Sequence, residues 1–351
     1  MTTDKHNKRP NVPPLRFPEF SDEWTETNIG SILSICNGKD YKDLGNGNIP
    51  VFGTGGYMTS VNDYLMDGES VFIGRKGTIN KPSYYKGKFW TVDTLFYTHE
   101  FIGAVPRFVL YLFENIDWLK YNEASGVPSL SKSTIEKIKI NIPKAIEQKK
   151  ISAFISLLDH RIEVQSGLIN KLESLIGGII ERLTAQYPNV RIADCLECHS
   201  STLQENQLNE TGGYRVYGAN GICGYTDSPG INGDAILIVK DGSGVGNVSY
   251  AIGEYSVIGT SNYLTAKNGY SLRYLYYILK KFNFAPYKTG MAIPHIYFKD
   301  YGRAMVYCPS FEEQERIAKK LSKIERKIEI ERSIKDCCIA QKQYLLQQMF
   351  I

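Results

Sequence analysis

PKAIEQKKISAFISLLDHRIEVQSGLINKLESLIGGIIERL, residues 143–183, is the longest uninterrupted stretch of apolar periodicity in the chain. Alternating steps of four and three from Ile151 reach Ile155, Leu158, Ile162, Gln165, Ile169, Leu172, Ile176, Ile179 and Leu183, and nine of these ten positions are apolar. Such spacing is the seam of a long helix that packs lengthwise on another helix, with Pro143 and Pro188 as its stops. At about 1.5 Å per residue, roughly forty residues span on the order of 60 Å. A single globular domain has little use for such a rod, whereas a spacer between two domains does. Phe154, Leu168, Leu175 and Ile180 widen the stripe beyond a two-helix seam, and the excess is expected to meet a partner or a domain. Gly177 and Gly178 each cost about 1 kcal/mol inside a helix, which points to a kink or a close backbone approach there.

On the N-terminal side of the rod, residues 1–14 are polar and read as a disordered leader. In LRFPEFSDEWTETNIGSIL (15–33), Leu15, Phe17, Phe20 and Trp24 are spaced to anchor a loop onto a domain, ahead of the short periodic segment Ile29–Ile35. From Ile49 the pattern is short strands broken by glycine: IPVFGTGG (49–56), SVFIGRKGTI (70–79) and KFWTVDTLFYT (88–98). A helix is expected over 105–119, then a polar turn with Gly126 and Pro128, then a strand over 138–142.

On the C-terminal side the same order returns. IPVFGTGG matches YRVYGANG (214–221), SVFIGRKG (70–77) matches AILIVKDG (235–242), and TLFYT (94–98) matches TSNYL (260–264). Thereafter a constant offset of 166 places Arg107 on Arg273, Tyr111 on Tyr277, Pro128 on Pro294, Pro143 on Pro309, Glu147 and Gln148 on Glu313 and Gln314, and Ile151 on Ile317. The polar break in the seam recurs too, as Gln165 and Glu331. Two copies of one domain-plus-helix unit make up the chain, an α+β arrangement with an internal two-fold repeat. The second seam is weaker: Lys335 and Lys342 fall where Ile169 and Ile176 stood, and the apolar set moves to Ile334, Cys338, Leu345 and Met349, the pattern of a stammer.

Composition bounds the function. The chain of 351 residues is long enough for two domains, and its net charge of +4 neither requires nor excludes nucleic acid. Distribution says more: no acid lies between Glu69 and Asp93 or between Glu254 and Asp300, while Arg75, Lys76, Lys81, Lys86 and Lys88, and later Lys267, Arg273, Lys280, Lys281, Lys288 and Lys299, do. Both stretches are rich in Tyr, Phe, Gly, Ser and Asn, as in a surface that meets phosphates and base edges. No run approaches the eighteen or so apolar residues of a membrane span and no secretory signal is apparent, so no membrane partner and a cytoplasmic location are expected. Seven cysteines then read as reduced thiols. Cys195, Cys198 and His199 form CxxCH, the spacing of haem attachment, but the repeat puts Ile32 and Ile35 at the two thiol positions, so core filling is the better reading. No second metal-spaced pair completes a zinc site, and no metal is expected.

VFGTGG resembles a loop that binds S-adenosylmethionine, yet no helical pattern follows Gly56, no (N/D)PP(Y/F/W) motif exists, and the sister copy reads VYGANG. A structural turn fits better. GRKGTIN (74–80) and KDGSGVGN (240–247) lack the spacing of a phosphate-cradling P-loop. As DNA-contacting loops they make sense: glycine lets the backbone approach, Arg75, Lys76 or Lys240 reaches phosphate or guanine, and Asn80 or Asn247 pairs with adenine. A plain hairpin turn is the competing reading for either loop. The candidate DNA contacts are Tyr57, Arg75, Lys76, Thr78, Asn80, Lys81, Tyr84 and Lys86 in the first copy, and Lys240, Ser243, Asn247, Lys288, Thr289 and His295 in the second. No catalytic residue is assigned.

PLRFPEF with its following EW, the turn built on Gly126, Pro128 and Leu130 and again on Gly290, Pro294 and Ile296, and the opening of each long helix by Ile142, Pro143, Glu147, Gln148 and Ile151, or by Cys308, Pro309, Glu313, Gln314 and Ile317, together resemble the specificity subunit of type I restriction-modification systems. The resemblance covers the whole chain, with Cys308 replacing an aliphatic residue. It implies two target-recognition domains, residues 15–142 and 188–308, separated by two long antiparallel coiled-coil helices, residues 143–187 and 309–351. It further implies that each domain reads one half of an interrupted double-stranded DNA site. Two separate methyltransferase subunits, which carry S-adenosylmethionine and methylate adenine, and motor endonuclease subunits would be the partners, with no cofactor on this chain. Ile155, Leu158, Ile162, Leu168, Ile169, Leu172 and Ile176, with Leu321, Ile324, Ile328 and Ile334, are the expected spacer and subunit-contact positions. The alternatives are a stand-alone methyltransferase or nuclease with its cofactor loop at VFGTGG, and a scaffold that binds no DNA.

Overall fold

The computed structural model describes residues 11–351 and divides the chain into two compact units, Met1–Gln165 with Ser333–Ile351, and Ser166–Arg332. Two long helices, Ala145–Thr184 and Phe311–Met349, contribute one part to each unit. Most of the expected disordered leader, residues 1–10, lies outside the described residues. Asn11 of that leader donates from its side-chain amide to the Trp24 carbonyl at 2.6 Å and to Asn141 Oδ1 at 2.7 Å.

The first unit is built on a six-stranded sheet in the order Ser34–Asn37, Leu95–His99, Met66–Gly74, Ser83–Thr91, Asn46–Gly53, Gly56–Val61. Its pairings are antiparallel except that Val51 and Phe52 lie parallel to Trp90 and Thr91. Alternation along Met66–Gly74 explains the layers. Val71 and Ile73 face the helix Pro106–Asn115, whose residues Phe108 to Phe113 are all buried, while Phe72 turns to the opposite face among Phe52, Tyr85 and Phe89. The helix expected over 105–119 stops at Asn115 because Ile116 turns extended, and a 3-10 turn, Trp118–Tyr121, follows. Trp118 is buried there and its indole N–H donates to the Phe113 carbonyl at 2.8 Å, satisfying one of the open carbonyls of the helix end.

The second unit repeats this logic in two four-stranded sheets, Leu196–Ser200, Ser261–Ala266, Ala235–Val239, Val248–Ala251 and Gly221–Thr226, Tyr214–Gly218, Glu254–Val257, Ile231–Asn232. Ile236 and Ile238 face the helix Leu272–Lys280, while Ala235 and Leu237 face Tyr255 and Val257. The parallel pair returns as Val216 and Tyr217 beside Ser256 and Val257. VFGTGG and VYGANG are both tight hairpins, closed by the pairs Gly53 with Gly56 and Gly218 with Gly221. Gly56 and Gly221 carry φ of 103° and 105°, a conformation that glycine adopts without a Cβ penalty. A strand, not a helix, follows each.

Within each unit the long helices pack antiparallel. In the first, Ile151 and Ile155 are buried with Leu345, Leu346, Met349 and Phe350. In the second, Ile176, Ile179 and Ile180 meet Ile317, Ala318 and Leu321, and Glu173 pairs with Arg332. Among the seam positions Ile155, Ile169, Leu321 and Ile328 are buried, and Leu158, Ile162, Leu168, Leu172, Ile176, Ile324 and Ile334 are half-buried. Of the surplus stripe, Ile180 enters the core of the second unit and Phe154 meets Phe17 edge-on, whereas Leu175 is exposed. Leu157 and Val164 are also exposed, an apolar surface the heptad count alone does not select. A Cβ at Gly177 or Gly178 would meet nothing within 4 Å, so these glycines mark no close backbone approach.

Gln148 and Gln314 account for the glutamine that opens each long helix. Both are buried. Gln148 accepts from the Val105 backbone N–H at 2.8 Å and donates to the carbonyls of Gly103 and Pro143 at 2.9 and 2.8 Å. Gln314 accepts from the Ser271 N–H at 3.0 Å and donates to Pro309 at 2.8 Å. Each amide thus ties the start of a long helix to the start of the domain helix, satisfying backbone groups that burial would otherwise orphan. The neighbouring glutamate has different partners in the two copies: Glu147, buried, holds the Arg16 guanidinium through two bonds of 2.7 Å and accepts from the Trp24 indole at 3.3 Å, whereas Glu313 pairs with Arg316 of its own helix.

Candidate nucleic-acid interface

Each unit clamps a glycine loop onto a proline turn through the same backbone bonds. In the first, the N–H groups of Arg75 and Lys76 both donate to Thr94 O at 2.8 and 3.2 Å, Gly77 N–H donates to Pro128 O at 2.8 Å, and Leu130 N–H donates to Arg75 O at 2.9 Å. In the second, Lys240 and Asp241 donate to Thr260 O at 2.9 and 3.2 Å, Gly242 to Pro294 O at 3.0 Å, and Ile296 to Lys240 O at 2.9 Å. Gly77 and Gly242, with φ of 93° and 92°, make the turn possible.

The glycine hairpin joins each clamp. A Cβ at Gly77 would lie 3.7 Å from Thr54 Oγ1, and one at Gly244 would lie 3.5 Å from the Cβ of Ala219. Three segments distant in sequence therefore converge on one surface in each unit. In the first, the glycine loop and the proline turn border an open cleft of about 600 Å³ lined by Arg75, Lys76, Asp93, Thr94, Glu123 and Lys132 among others. Arg75 donates from its guanidinium to Asp93 O at 3.2 Å, and Asn122 Oδ1 accepts from the N–H groups of Ala124 and Ser129, which shapes the turn. In the second unit Thr289 and His295 exchange backbone bonds of 2.9 and 2.8 Å, holding out a tip with Met291 and Ile293 fully or largely exposed.

The clamp holds Arg75 and Lys76 in the first unit, with Thr78 half-buried farther along the same loop and Tyr57 exposed on the strand that leaves the adjoining hairpin. In the second unit it brings Lys240 together with the turn that carries Thr289 and His295, while Ser243 and Asn247 are exposed on the glycine loop and Lys288 is exposed before the turn. Asn80 and Lys81 are exposed on the loop that leads away. Tyr84 and Lys86 are engaged elsewhere: Tyr84 donates to Glu69, Lys86 Nζ lies 3.8 Å from Glu69, and the Arg107 guanidinium sits 4.2 Å over the Tyr84 ring. Burial, and then the bond to Glu69, push the Tyr84 phenol up to about 12. The stack repeats as Arg273 4.3 Å over Tyr250, whose hydroxyl donates to Asp234 at 2.9 Å. Its only advance signal was the shared offset of 166 for Arg107 with Arg273 and Tyr84 with Tyr250. Sequence reasoning also passed over Asp241, Glu123 and Lys132, which adjoin the clamps.

The CxxCH residues are part of the fold. Cys195 is buried, Cys198 pairs with Leu264 across the sheet, and the His199 ring stacks on Tyr263 at 4.8 Å with Nε2 3.0 Å from Thr265 Oγ1. Burial pushes the Cys198 thiol up to about 11, the wrong direction for a reactive thiolate. Among the described residues no group of three His, Cys, Asp or Glu side chains suits a metal ion. No described helix is long and apolar enough to cross a membrane.

Comparisons with known proteins agree with the repeat. A family model described as "Type I restriction modification DNA specificity domain" matches residues 21–174 and again residues 186–337. No curated protein sequence matches the chain. Among solved structures, the fold is similar to that of a type I restriction-modification system S subunit from M. genitalium, with a TM-score of 0.76 at 17% identity over 97% of this chain and 99% of that one. It is also similar to a chain from a study of complex assembly and conformational transition in the type I R-M system, with a TM-score of 0.51 at 15% identity over 96% and 98%. At these identities the structural likeness is one of fold.

Proposed function

Because this chain belongs to the family of type I restriction-modification DNA specificity subunits, we propose that each of its two units reads one half of an interrupted double-stranded DNA site. As a specificity subunit it is non-catalytic. The observation that carries the reading is the repeated clamp: the same four kinds of backbone bond hold a glycine loop with Arg75 and Lys76 in one unit and with Lys240 and Asp241 in the other. A rigid frame that varies its side chains between copies suits two readers of different half-sites, because phosphate contacts position a protein while base-edge contacts specify the sequence. Tyr57, Thr78, Asn80, Lys81, Ser243, Asn247, Lys288, Thr289 and His295 are the further contacts in this proposal; Tyr84 and Lys86 serve it through the surface that they share with Arg107.

The proposal extends to the assembly. Residues 15–142 and 188–308 are the recognition domains, and residues 143–187 and 309–351 are spacers that also receive two methyltransferase subunits, which bring S-adenosylmethionine and methylate adenine; motor endonuclease subunits cleave. Cytoplasm is the compartment in which such a complex meets DNA. The stand-alone methyltransferase reading loses its cofactor loop, because VFGTGG is a hairpin between strands. The test is direct: purified chain incubated with labelled S-adenosylmethionine and DNA transfers no label until a methyltransferase subunit is added, and then labels one bipartite motif. Transfer by the chain alone would overturn the assignment.

A further inference from the structure

The two clamps share their main chain, and on the glycine loop itself the charge reverses at one position. Lys76 and Asp241 are equivalent: each donates its backbone N–H at 3.2 Å to the matching carbonyl, Thr94 or Thr260, and each bridges the proline turn, at Ser129 or His295. Among the described residues neither side chain is recorded in a hydrogen bond or an ion pair; Lys76 is exposed and Asp241 half-exposed. Neither charge is therefore committed to the fold.

The chemistry of the two ends is opposite. An ammonium only donates and a carboxylate only accepts. In the major groove a donor answers guanine O6 and N7, whereas an acceptor answers the exocyclic amino group of cytosine or adenine. Phosphates repel a carboxylate, so general attraction to DNA does not explain Asp241 on such a surface. We propose that this loop position selects the base type in each half-site, with Lys76 reading a guanine edge and Asp241 reading an exocyclic amino group. The inference rests on the assignment of the two units as DNA readers and goes beyond it by naming one deciding residue in each.

The experiment is selection from a duplex library randomised over both half-sites, using the full-length chain and the variants Asp241→Lys, Asp241→Asn and Lys76→Asp. Wild type is expected to return a bipartite motif; failure to select any motif overturns the DNA-reading assignment and the inference with it. Asp241→Lys is expected to replace one cytosine or adenine by guanine in one half-site, with a change in preference of about tenfold or more, and to leave the other half-site as it was. Asp241→Asn keeps an acceptor and adds a donor, so it loosens the same position, and it carries the decision if Asp241→Lys binds no duplex. Lys76→Asp is expected to change the other half-site alone. Variants that select the wild-type motif unchanged, or alter both half-sites together, overturn the inference while leaving the DNA-reading assignment intact.

Discussion

Lys342 Nζ lies 2.7 Å from Asp159 Oδ1, in a seam position where the first copy has Ile176. It is also 2.7 Å from Glu114 Oε2 and 5.2 Å from the centre of the Tyr111 ring, and Tyr111 donates to Asp159 Oδ2 at 2.7 Å. In the second unit the equivalents of residues 111, 114 and 159 are Tyr277, Lys280 and Glu325. There Lys280 and Arg273 approach Glu325 at 3.4 and 2.7 Å, and Tyr277 donates to it at 2.9 Å. The cation beside the acid has moved from the spacer helix in one unit to the domain helix in the other. What reads in the heptad count as a weak seam is an ion pair that burial makes demanding.

Lys342→Ile, which copies position 176, leaves Glu114 and Asp159 without their cation and is expected to cost about 2 kcal/mol, below the range for fully buried pairs because these carboxylates keep some solvent. Adding Glu114→Lys supplies the second unit's arrangement and is expected to recover most of that loss. Urea unfolding of both variants is the measurement; a double variant no more stable than Lys342→Ile removes the proposed compensation.

The same group predicts an alkaline dependence. Burial lowers the Lys342 value, but the bonds to Asp159 and Glu114 outweigh it and hold the ammonium above the usual lysine range. A lysine raised on folding contributes fully below its unfolded value of about 10.4 and loses that contribution as pH rises through the folded one. The gap in stability between wild type and Lys342→Ile should therefore close above about pH 10.4. A gap that stays constant as the lysine titrates would contradict the assignment.

Gln148→Ala removes one acceptor and two donors that serve Val105, Gly103 and Pro143. With those backbone groups buried and unpaired, a loss of about 3 kcal/mol is expected. Gln148→Glu cannot donate to two carbonyls while ionised and should unfold at lower urea than wild type as well. Thermal and urea denaturation decide it, and a neutral Gln148→Ala would show that water replaces the amide.

Gly177→Ala and Gly178→Ala are expected to raise stability by about 0.5–1 kcal/mol each, since both lie inside a helix with open space at the Cβ position. A destabilised variant would mean that the helix needs its freedom at this point, as in a complex with another subunit.

Local physics made much of this protein legible in its residues. The long helices followed from steps of four and three, the hairpins from VFGTGG and VYGANG, and the two-fold organisation from a constant offset that carried Pro128 onto Pro294 and Gln148 onto Gln314. Each of these signals is contained in a short window, because helix period, strand alternation and glycine or proline dihedrals act between near neighbours. Only tertiary structure decided that Lys342 belongs in the seam, that Arg16 and Trp24 converge on Glu147, and that Tyr84 supports Arg107. Partners such as Arg16 and Glu147 lie 131 positions apart in the chain. A charge or a polar ring is tolerated at such depth according to what stands opposite it in space, and no periodicity records that. The match of SVFIGRKG with AILIVKDG already aligned Lys76 with Asp241, but that both stand on matching backbone bonds at the edge of a proline turn was decided only by the tertiary structure.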